Sequence, residues 1–281
     1  MTRGKLWVVA TPLGHPDDLS PRAAAVLTAV AGVAAEDTRR AELLLRRIGA
    51  WPKRLVSCHD HNERRRAEGL VARVVEGADW ALISDAGTPM VADPGYSVVR
   101  AALDANVEVV VVPGPCAAIA ALVGSGLPTD AFRFAGFLPR EGGPRRAALD
   151  DVARDRATLV VYEAPHRLLA TLDAMTEAFG PRPVAVAFEL TKTFERWHRG
   201  RLDEVADQLR AEPESVRGEA TVVVGGAEGP HRGDEARALE LAAALARAGV
   251  APGVVRDVLA EAYEVPKRAL YQAALTARGS G

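Results

Sequence analysis

The chain is poor in cysteine. Cys58 and Cys116 are the only two in 281 residues. Two thiols make no disulfide framework and suit a reducing compartment. Excess charge is also missing: 35 Lys and Arg against 37 Asp and Glu leave a net charge of −2. That balance lacks the basic footprint of an evident nucleic-acid binder, so local clusters must carry any such argument. No apolar run reaches the roughly 18 residues that a membrane span needs. Met1-Thr2-Arg3-Gly4-Lys5 leads directly into a strand pattern and carries no signal-peptide pattern, so a cytoplasmic location and no membrane partner are expected. Internal repeats and low-complexity blocks are absent. Cys58-His59-Asp60-His61 would put two imidazoles on one face of a strand, but no second ligand cluster accompanies them, and no metal is expected. What remains is an ordinary globular composition, 48% hydrophobic, long enough for two domains.

The chain turns on one stretch, Ala81-Leu82-Ile83-Ser84-Asp85-Ala86-Gly87-Thr88-Pro89-Met90-Val91-Ala92-Asp93-Pro94-Gly95. It begins as a short apolar strand and breaks into a loop with two Gly, two Pro and two Asp. Gly87 and Gly95 permit backbone angles other residues avoid, and Pro89 and Pro94 stiffen the path. A rigid loop at the carboxyl end of a strand is where open α/β sheets place ligands. A structural turn explains the same residues, but the paired acids and glycines favour a binding loop.

Around it, strand and helix patterns alternate. Leu6–Ala10 is the first strand, closed by Thr11-Pro12-Leu13-Gly14, where Gly14 permits either a tight turn or a close approach to a ligand. Ser20-Pro21 opens a helix as N-cap and first helical residue. Gly32–Ala35 is a strand ending in Glu36-Asp37-Thr38-Arg39, with a helix over 41–48. Asp37 or Thr38 caps that helix, or the acids and Arg39 face a cleft; both readings are open. Leu55–Cys58 is a strand, and His61-Asn62-Glu63 opens a helix to Glu76 whose Arg64-Arg65-Arg66 is a solvated face or a phosphate contact. Val107–Val112 reads as a strand buried on both faces. Pro113-Gly114-Pro115-Cys116-Ala117 leads into a helix whose free N–H groups favour an anion. Gly124-Ser125-Gly126 is no dinucleotide fingerprint, because the third glycine is missing.

A second set begins at Phe132–Pro139, followed by a Gly-Pro loop bearing Arg140, Arg145 and Arg146 that is expected to move. The strand Thr158–Tyr162 ends in Tyr162-Glu163-Ala164-Pro165-His166-Arg167. Val184–Phe188 ends in Glu189-Leu190-Thr191-Lys192, and Glu195–Arg201 is a hairpin or loop. Gly218–Gly226 holds the last strand. A Gly/Pro linker over 226–233 precedes three helical patterns, around 238–248, 254–263 and 266–274. Helix, Gly-turn, helix can be a DNA-reading motif, but a small helical packing unit is the commoner use.

Ser84-Asp85-Ala86-Gly87-Thr88-Pro89 with Asp93-Pro94-Gly95, Ala35-Glu36-Asp37-Thr38-Arg39, Tyr162-Glu163-Ala164-Pro165-His166-Arg167 and Glu189-Leu190-Thr191-Lys192 together resemble the ribosomal RNA small subunit methyltransferase I family. That family is a branch of the tetrapyrrole methylases, and the motifs span about residues 6 to 226 in the family's order. The chain departs at His15-Pro16 (usually Asn-Leu), Cys116 (usually Ser) and Phe188 (usually Arg). The resemblance implies a two-domain α/β fold of the tetrapyrrole methylase kind (class III methyltransferase): an N-terminal domain over 1–128, a C-terminal domain over 129–227, a cofactor cleft between them and a helical extension over 228–281. It implies S-adenosylmethionine bound by Leu13, Gly14, Asp85, Gly87, Thr88, Val91, Cys116, Ala117, Tyr162, Leu190, Glu219 and Ala220. It further implies 2′-O-methylation of a cytidine in the decoding region of 16S ribosomal RNA, in an assembled 30S subunit, by a homodimer. Displacement at a sulfonium methyl needs alignment and relief of a weakly acidic hydroxyl. Asp37, Glu163, Glu189 and His166 are candidate bases, and Arg39 and Lys192 candidate stabilisers. A tetrapyrrole C-methyltransferase is one alternative, although its usual Gly-Asp-Pro loop reads Gly87-Thr88-Pro89 here. A non-catalytic RNA-binding or ribosome assembly protein is the other.

Overall fold

A computed structural model describes residues 3–51, 53–59, 62–227, 235–263 and 265–279. Asp60, His61 and most of the expected linker lie outside the described residues. Residues 1–227 form one compact unit and 228–281 another.

The first unit holds two five-stranded sheets. In the first, β1 (Lys5–Val9), β2 (Gly32–Ala35), β3 (Arg54–Ser57), β4 (Trp80–Ile83) and β5 (Glu108–Val112) are parallel in the order β3-β2-β4-β1-β5. The connecting helices are α1 (Pro21–Ala29), α2 (Thr38–Arg47), α3 (Glu63–Val75) and α4 (Tyr96–Asp104). They cover both faces. Leu6, Trp80 and Leu82 pack on Leu70 and Val74 of α3 and Val98 of α4. Val9, Val33 and Ile83 pack on Leu27 of α1 and Leu45 of α2. Each such large side chain contributes about 1.5–3 kcal/mol on burial.

Local chemistry sets the boundaries. Ser20 accepts the Ala23 N–H and Pro21 opens α1. β2 is buried along its whole length. Two sequence expectations change here. β5 has one neighbour, β1, so it is an edge strand and leaves Val111 56% exposed; it is not buried on both faces. His59 lies past the end of β3, in a loop where its ring meets the Asn62 side-chain amide at 2.8 Å, so it is not a strand residue. Among the described residues no His, Cys, Asp and Glu group is arranged to hold a metal.

After α5 (Ala117–Ser125) come β6 (Phe132–Phe137), α6 (Gly142–Val152), β7 (Thr158–Glu163), α7 (Pro165–Phe179), β8 (Pro183–Phe188), β9 (Arg196–Arg201), α8 (Leu202–Ala211) and β10 (Ala220–Val224). The second sheet runs β6-β7-β10-β8-β9, with only the β6–β7 pair parallel. One face packs on α6, α7 and α8 through Leu149, Leu172 and Val205. The other packs on Ala118, Ala121 and Leu122 of α5, so this helix completes the second sheet's core. Gly124 gives Trp197 room against α5: a Cβ there would come within 2.6 Å of the indole. The stretch with Arg145 and Arg146 is the start of α6, not a Gly-Pro loop, because Pro144 is tolerated in a first helical turn. Arg146 pairs there with Asp150 and Glu177.

The second unit is three helices, α9 (Glu235–Arg247), α10 (Pro252–Tyr263) and α11 (Lys267–Gly279). Ala242, Ala246, Leu259 and Leu270 close a core of their own. No helix among the described residues is long and apolar enough to cross a membrane.

Candidate active site

The carboxyl ends of the parallel strands open on a cleft of about 630 Å³, with the strand ends of the second sheet opposite. Its first-sheet wall is Leu13 after β1, Glu36 after β2, Arg40 on α2, the Asp85–Thr88 turn after β4, Val91, Asp93, and Cys116 with Ala117 at the start of α5. Phe137, Tyr162–Pro165, Glu189, Lys192 and Gly218–Thr221 form the other wall.

The loop after β4 is pinned from both sides. Thr11 and Gly87 exchange backbone hydrogen bonds of 2.8 and 3.1 Å, and Thr88 Oγ1 donates to the Pro115 carbonyl at 2.8 Å. Gly87 has φ +84° with Leu13 Cδ2 3.0 Å from where a Cβ would stand, so only glycine fits without strain. Met90 and Ala92 on this loop, and Glu189 and Thr191 on the loop opposite, also hold positive φ. Such backbone costs about 1–3 kcal/mol per residue and persists where its surroundings over-determine it.

The start of α5 receives a remote cap. Cys116, the N-cap residue, makes no side-chain capping bond; the Tyr162 hydroxyl accepts the Ala118 N–H at 3.1 Å instead. Burial pushes the Tyr162 phenol upward, so it stays a neutral donor and acceptor. Phe134 and Phe137 hold its ring edge-on, at 4.9 and 5.7 Å between centroids.

The predicted site residues divide. Leu13, Asp85, Gly87, Thr88, Val91, Cys116, Ala117, Tyr162, Glu163, Glu189, Lys192, Glu219 and Ala220 all line the cleft. Gly14 lies beside it for another reason: a Cβ there would overlap Lys192 Cγ, so its close approach is to a side chain of the opposite wall. Leu190 is buried in the core against α5. Asp37 and Arg39 are not cleft residues. Asp37 caps α2, accepting the Arg39 N–H at 2.8 Å, and its carboxylate also grips the Arg39 guanidinium at 2.7 Å. The Arg39 hydrogen bond holds the Asp37 carboxyl at about 2. His166 is an exposed residue of the first turn of α7, outside the lining.

Glu163 reaches the lining but is committed. Its side chain is fully buried and accepts from Thr171 Oγ1 at 2.6 Å and the Ala164 N–H at 2.8 Å. Arg167 Nε lies 3.2 Å away in ion-pair contact without hydrogen-bond alignment, and Arg167 Nη2 donates to the Leu138 and Pro139 carbonyls. Lys192 is the opposite case. Its ammonium donates to Glu189 at 3.0 Å and Glu219 at 3.1 Å, inside the cleft. Burial works against its charge, but the two carboxylates outweigh it and raise its pKa. Burial likewise works to raise Glu189, and the Glu219 N–H and Lys192 outweigh it and hold Glu189 below its usual range.

The expected site residues did not include Glu36, Arg40, Asp93 and Phe137, although Glu36 and Asp93 stand in the motifs that pointed to the cleft. A residue directly after a strand continues at its carboxyl end, as Glu36 does, whereas a capping residue turns its side chain back on the helix, as Asp37 does. Asp85 ties this corner together: it accepts the Asp37 N–H at 2.9 Å and lies 3.6 Å from the Arg40 guanidinium.

The family model for tetrapyrrole (corrin/porphyrin) methylases matches residues 5–206. A ribosomal RNA small subunit methyltransferase I from Micromonospora olivasterospora is 45% identical over 96% of this chain and 86% of its own. One from Pseudomonas aeruginosa is 44% identical over 99% of each. Among solved structures, a uroporphyrin-III-C-methyltransferase from Thermus thermophilus is 27% identical with a TM-score of 0.56, over 79% of this chain and 94% of that one. Another from that organism, solved with S-adenosyl homocysteine, shares the fold at 23% identity and a TM-score of 0.56, over 79% and 97%. The profile and the near full-length identity agree with the geometry of the cleft: this chain belongs to the tetrapyrrole methylase family, in its ribosomal RNA small subunit methyltransferase I branch.

Proposed function

We infer that this protein is an S-adenosylmethionine-dependent methyltransferase of small-subunit ribosomal RNA, acting on the 2′-hydroxyl of a cytidine in the decoding region. The observation that carries it is the cleft's chemistry. Glu36, Asp85, Asp93, Glu189 and Glu219 outnumber Arg40 and Lys192 in a space of about 630 Å³, within the usual range for small-molecule sites. An acidic lining suits a sulfonium cation, and the start of α5 suits the cofactor's carboxylate. The residues present therefore fit the cofactor. When bound, it supplies an electrophilic methyl group.

The chain's own residues supply alignment and charge. The turn at 86–88 and the start of α5 fix the cofactor's position. Lys192, kept protonated by Glu189 and Glu219, stabilises the oxyanion that develops on the ribose as its proton passes to solvent water. Glu163, held by Thr171, Ala164 and Arg167, anchors the floor. Asp37 supports the wall through α2. Arg64 and Arg65, exposed on α3 and without an ion pair among the described residues, and Arg40 at the cleft are cations for RNA phosphates. Exposed Val111 on the β5 edge and Ile119 and Val123 on α5 are apolar surface that a second copy would cover, so the active form is a homodimer working on the assembled 30S subunit.

Labelled cofactor incubated with small subunits lacking the modification, followed by mapping of the labelled nucleotide, tests this reading. The expected label is on one cytidine ribose. Label on a tetrapyrrole acceptor instead, or cofactor binding with no transfer to any RNA, would replace it with one of the two alternatives. Sedimentation at a monomer mass at every concentration would remove the homodimer.

A further inference from the structure

A second cavity adjoins the main cleft. It measures about 160 Å³ and shares two residues with the cleft, Arg40 and Asp85. Its walls are otherwise largely apolar: Pro12 and Pro16 from the loop after β1, Ala41 and Leu44 from α2, and Ile83 from β4. Thr11 and Ser84 also face it, but their hydroxyls are engaged. Thr11 Oγ1 donates to the Ser84 carbonyl at 3.2 Å, and Ser84 Oγ donates to the Gly87 carbonyl at 3.1 Å. Polar selection therefore falls to the shared pair.

That pair is open to a ligand. Asp85 spends one carboxylate oxygen on the Asp37 N–H, and its other oxygen meets Arg40 only at 3.6 Å, longer than a hydrogen bond. The Arg40 side chain is 61% exposed, and among the described residues it is given no closer acid. Gly14 lines the cavity and packs against the Lys192 stem, whose ammonium lines the main cleft, so the two spaces meet at Arg40 and Asp85 with Lys192 nearby.

We propose that this side cavity receives the base of the target nucleotide, a pyrimidine carrying an exocyclic amino group, while its ribose stays where the two spaces meet with the 2′-hydroxyl toward the main cleft. The proposal rests on the methyltransferase reading and adds where and how the base is chosen. An apolar cavity of about 150 Å³ is enough to hold one benzene ring. A space of 160 Å³ thus has room for a six-membered ring. The apolar walls supply the stacking surfaces on which an extruded base rests. A carboxylate accepts from the cytosine amino group and repels the carbonyl oxygen that uracil has in its place. Arg40 donates to the ring carbonyl beside the glycosidic bond, or to the adjoining phosphate.

Two variants test this. In Leu44→Trp the indole fills the cavity from a half-buried position. The expected result is wild-type affinity for S-adenosylmethionine by calorimetry and at least tenfold slower methyl transfer to small subunits. In Asp85→Asn an amide can face either base. With small subunits carrying uridine in place of the mapped cytidine, the wild-type protein should prefer cytidine by about tenfold or more, and the variant should lose most of that preference. Full-rate transfer by Leu44→Trp overturns the proposal, and so does an unchanged preference in Asp85→Asn. Loss of cofactor affinity in Leu44→Trp overturns it too, by assigning the cavity to the cofactor. A wild-type protein that methylates no cytidine would instead remove the function on which the proposal rests.

Discussion

Glu163 offers the sharpest test of which acids belong to the chemistry. It ends β7, faces the cleft, and is a natural suspect as a base. The structure makes it an anchor: Thr171 from α7, the Ala164 N–H and Arg167 surround a carboxylate with no exposed side-chain surface. Thr171→Val keeps the volume and removes one donor to a buried anion, which costs about 1–3 kcal/mol. Glu163→Ala goes further, because it strands Arg167, whose side chain is only 15% exposed. Breaking a buried pair from one side costs about 3–5 kcal/mol. In a folding unit of this size each kcal/mol lowers Tm by about 2–4 °C. Glu163→Gln retains an acceptor and loses the charge, so its loss should fall between these two. The assay pairs thermal melting with single-turnover methyl transfer measured well below each variant's Tm. The loss of stability should rise from Thr171→Val through Glu163→Gln to Glu163→Ala while transfer per folded molecule stays near wild type. A Glu163→Gln protein that melts like wild type yet transfers no methyl would refute the reasoning and return Glu163 to the chemistry.

Gly14→Ala should slow methyl transfer more than it weakens cofactor binding, because the new Cβ displaces the Lys192 stem; equal loss in both would place Gly14 at the cofactor. Tyr162→Phe removes the acceptor of the Ala118 N–H and should cost about 1 kcal/mol of stability with weaker S-adenosylmethionine binding; calorimetry at unchanged affinity would separate the start of α5 from the cofactor. The Glu189–Lys192 pair sets a pH window. Glu189 is depressed, so its contribution to stability is present above 4.5 and is lost as pH falls through its lowered folded value. Lys192 is raised, so its contribution is full below 10.5 and is lost as pH rises through its raised folded value. Lys192→Met should abolish the alkaline limb of the pH–stability curve that belongs to this pair, and a limb unchanged in the variant would assign it elsewhere.

Much of the fold was legible because its signals are local. Ser20-Pro21 specifies the start of α1, Gly32–Ala35 is a strand at those residues, and the loop after β4 lies where its prolines and glycines put it. The errors came where neighbours decide. Nothing within Val107–Val112 says that β5 has a partner on one side only. Arg196–Arg201 lacks an apolar alternation because β9 is also an edge, so its pairing with β8 could be read only as hairpin or loop. In the site, motif position located the strand ends, but not which of two adjacent acids turns inward. Glu36 and Asp37 differ only in that the second is taken by a helix N-terminus. Gly14 shows the same limit: its partner, Lys192, is distant in sequence and arrives from the opposite wall.

The order of strands in the second sheet bears on how the protein comes into being. β10 is the last strand in the sequence of that unit, yet it sits at the sheet's centre, between β7 and β8. Until residue 224 has been synthesised, β7 and β8 have no common neighbour, and their inner edges stay unpaired. The first sheet has all five of its strands by residue 112. Assembly on the translating ribosome is therefore staggered. One sheet can close early, while the other waits for a single late strand to pass between two that are already made. Nascent chains halted before β10 should expose Val160, Val186 and their neighbours, and should bind chaperones or aggregate where chains extended past Val224 do not.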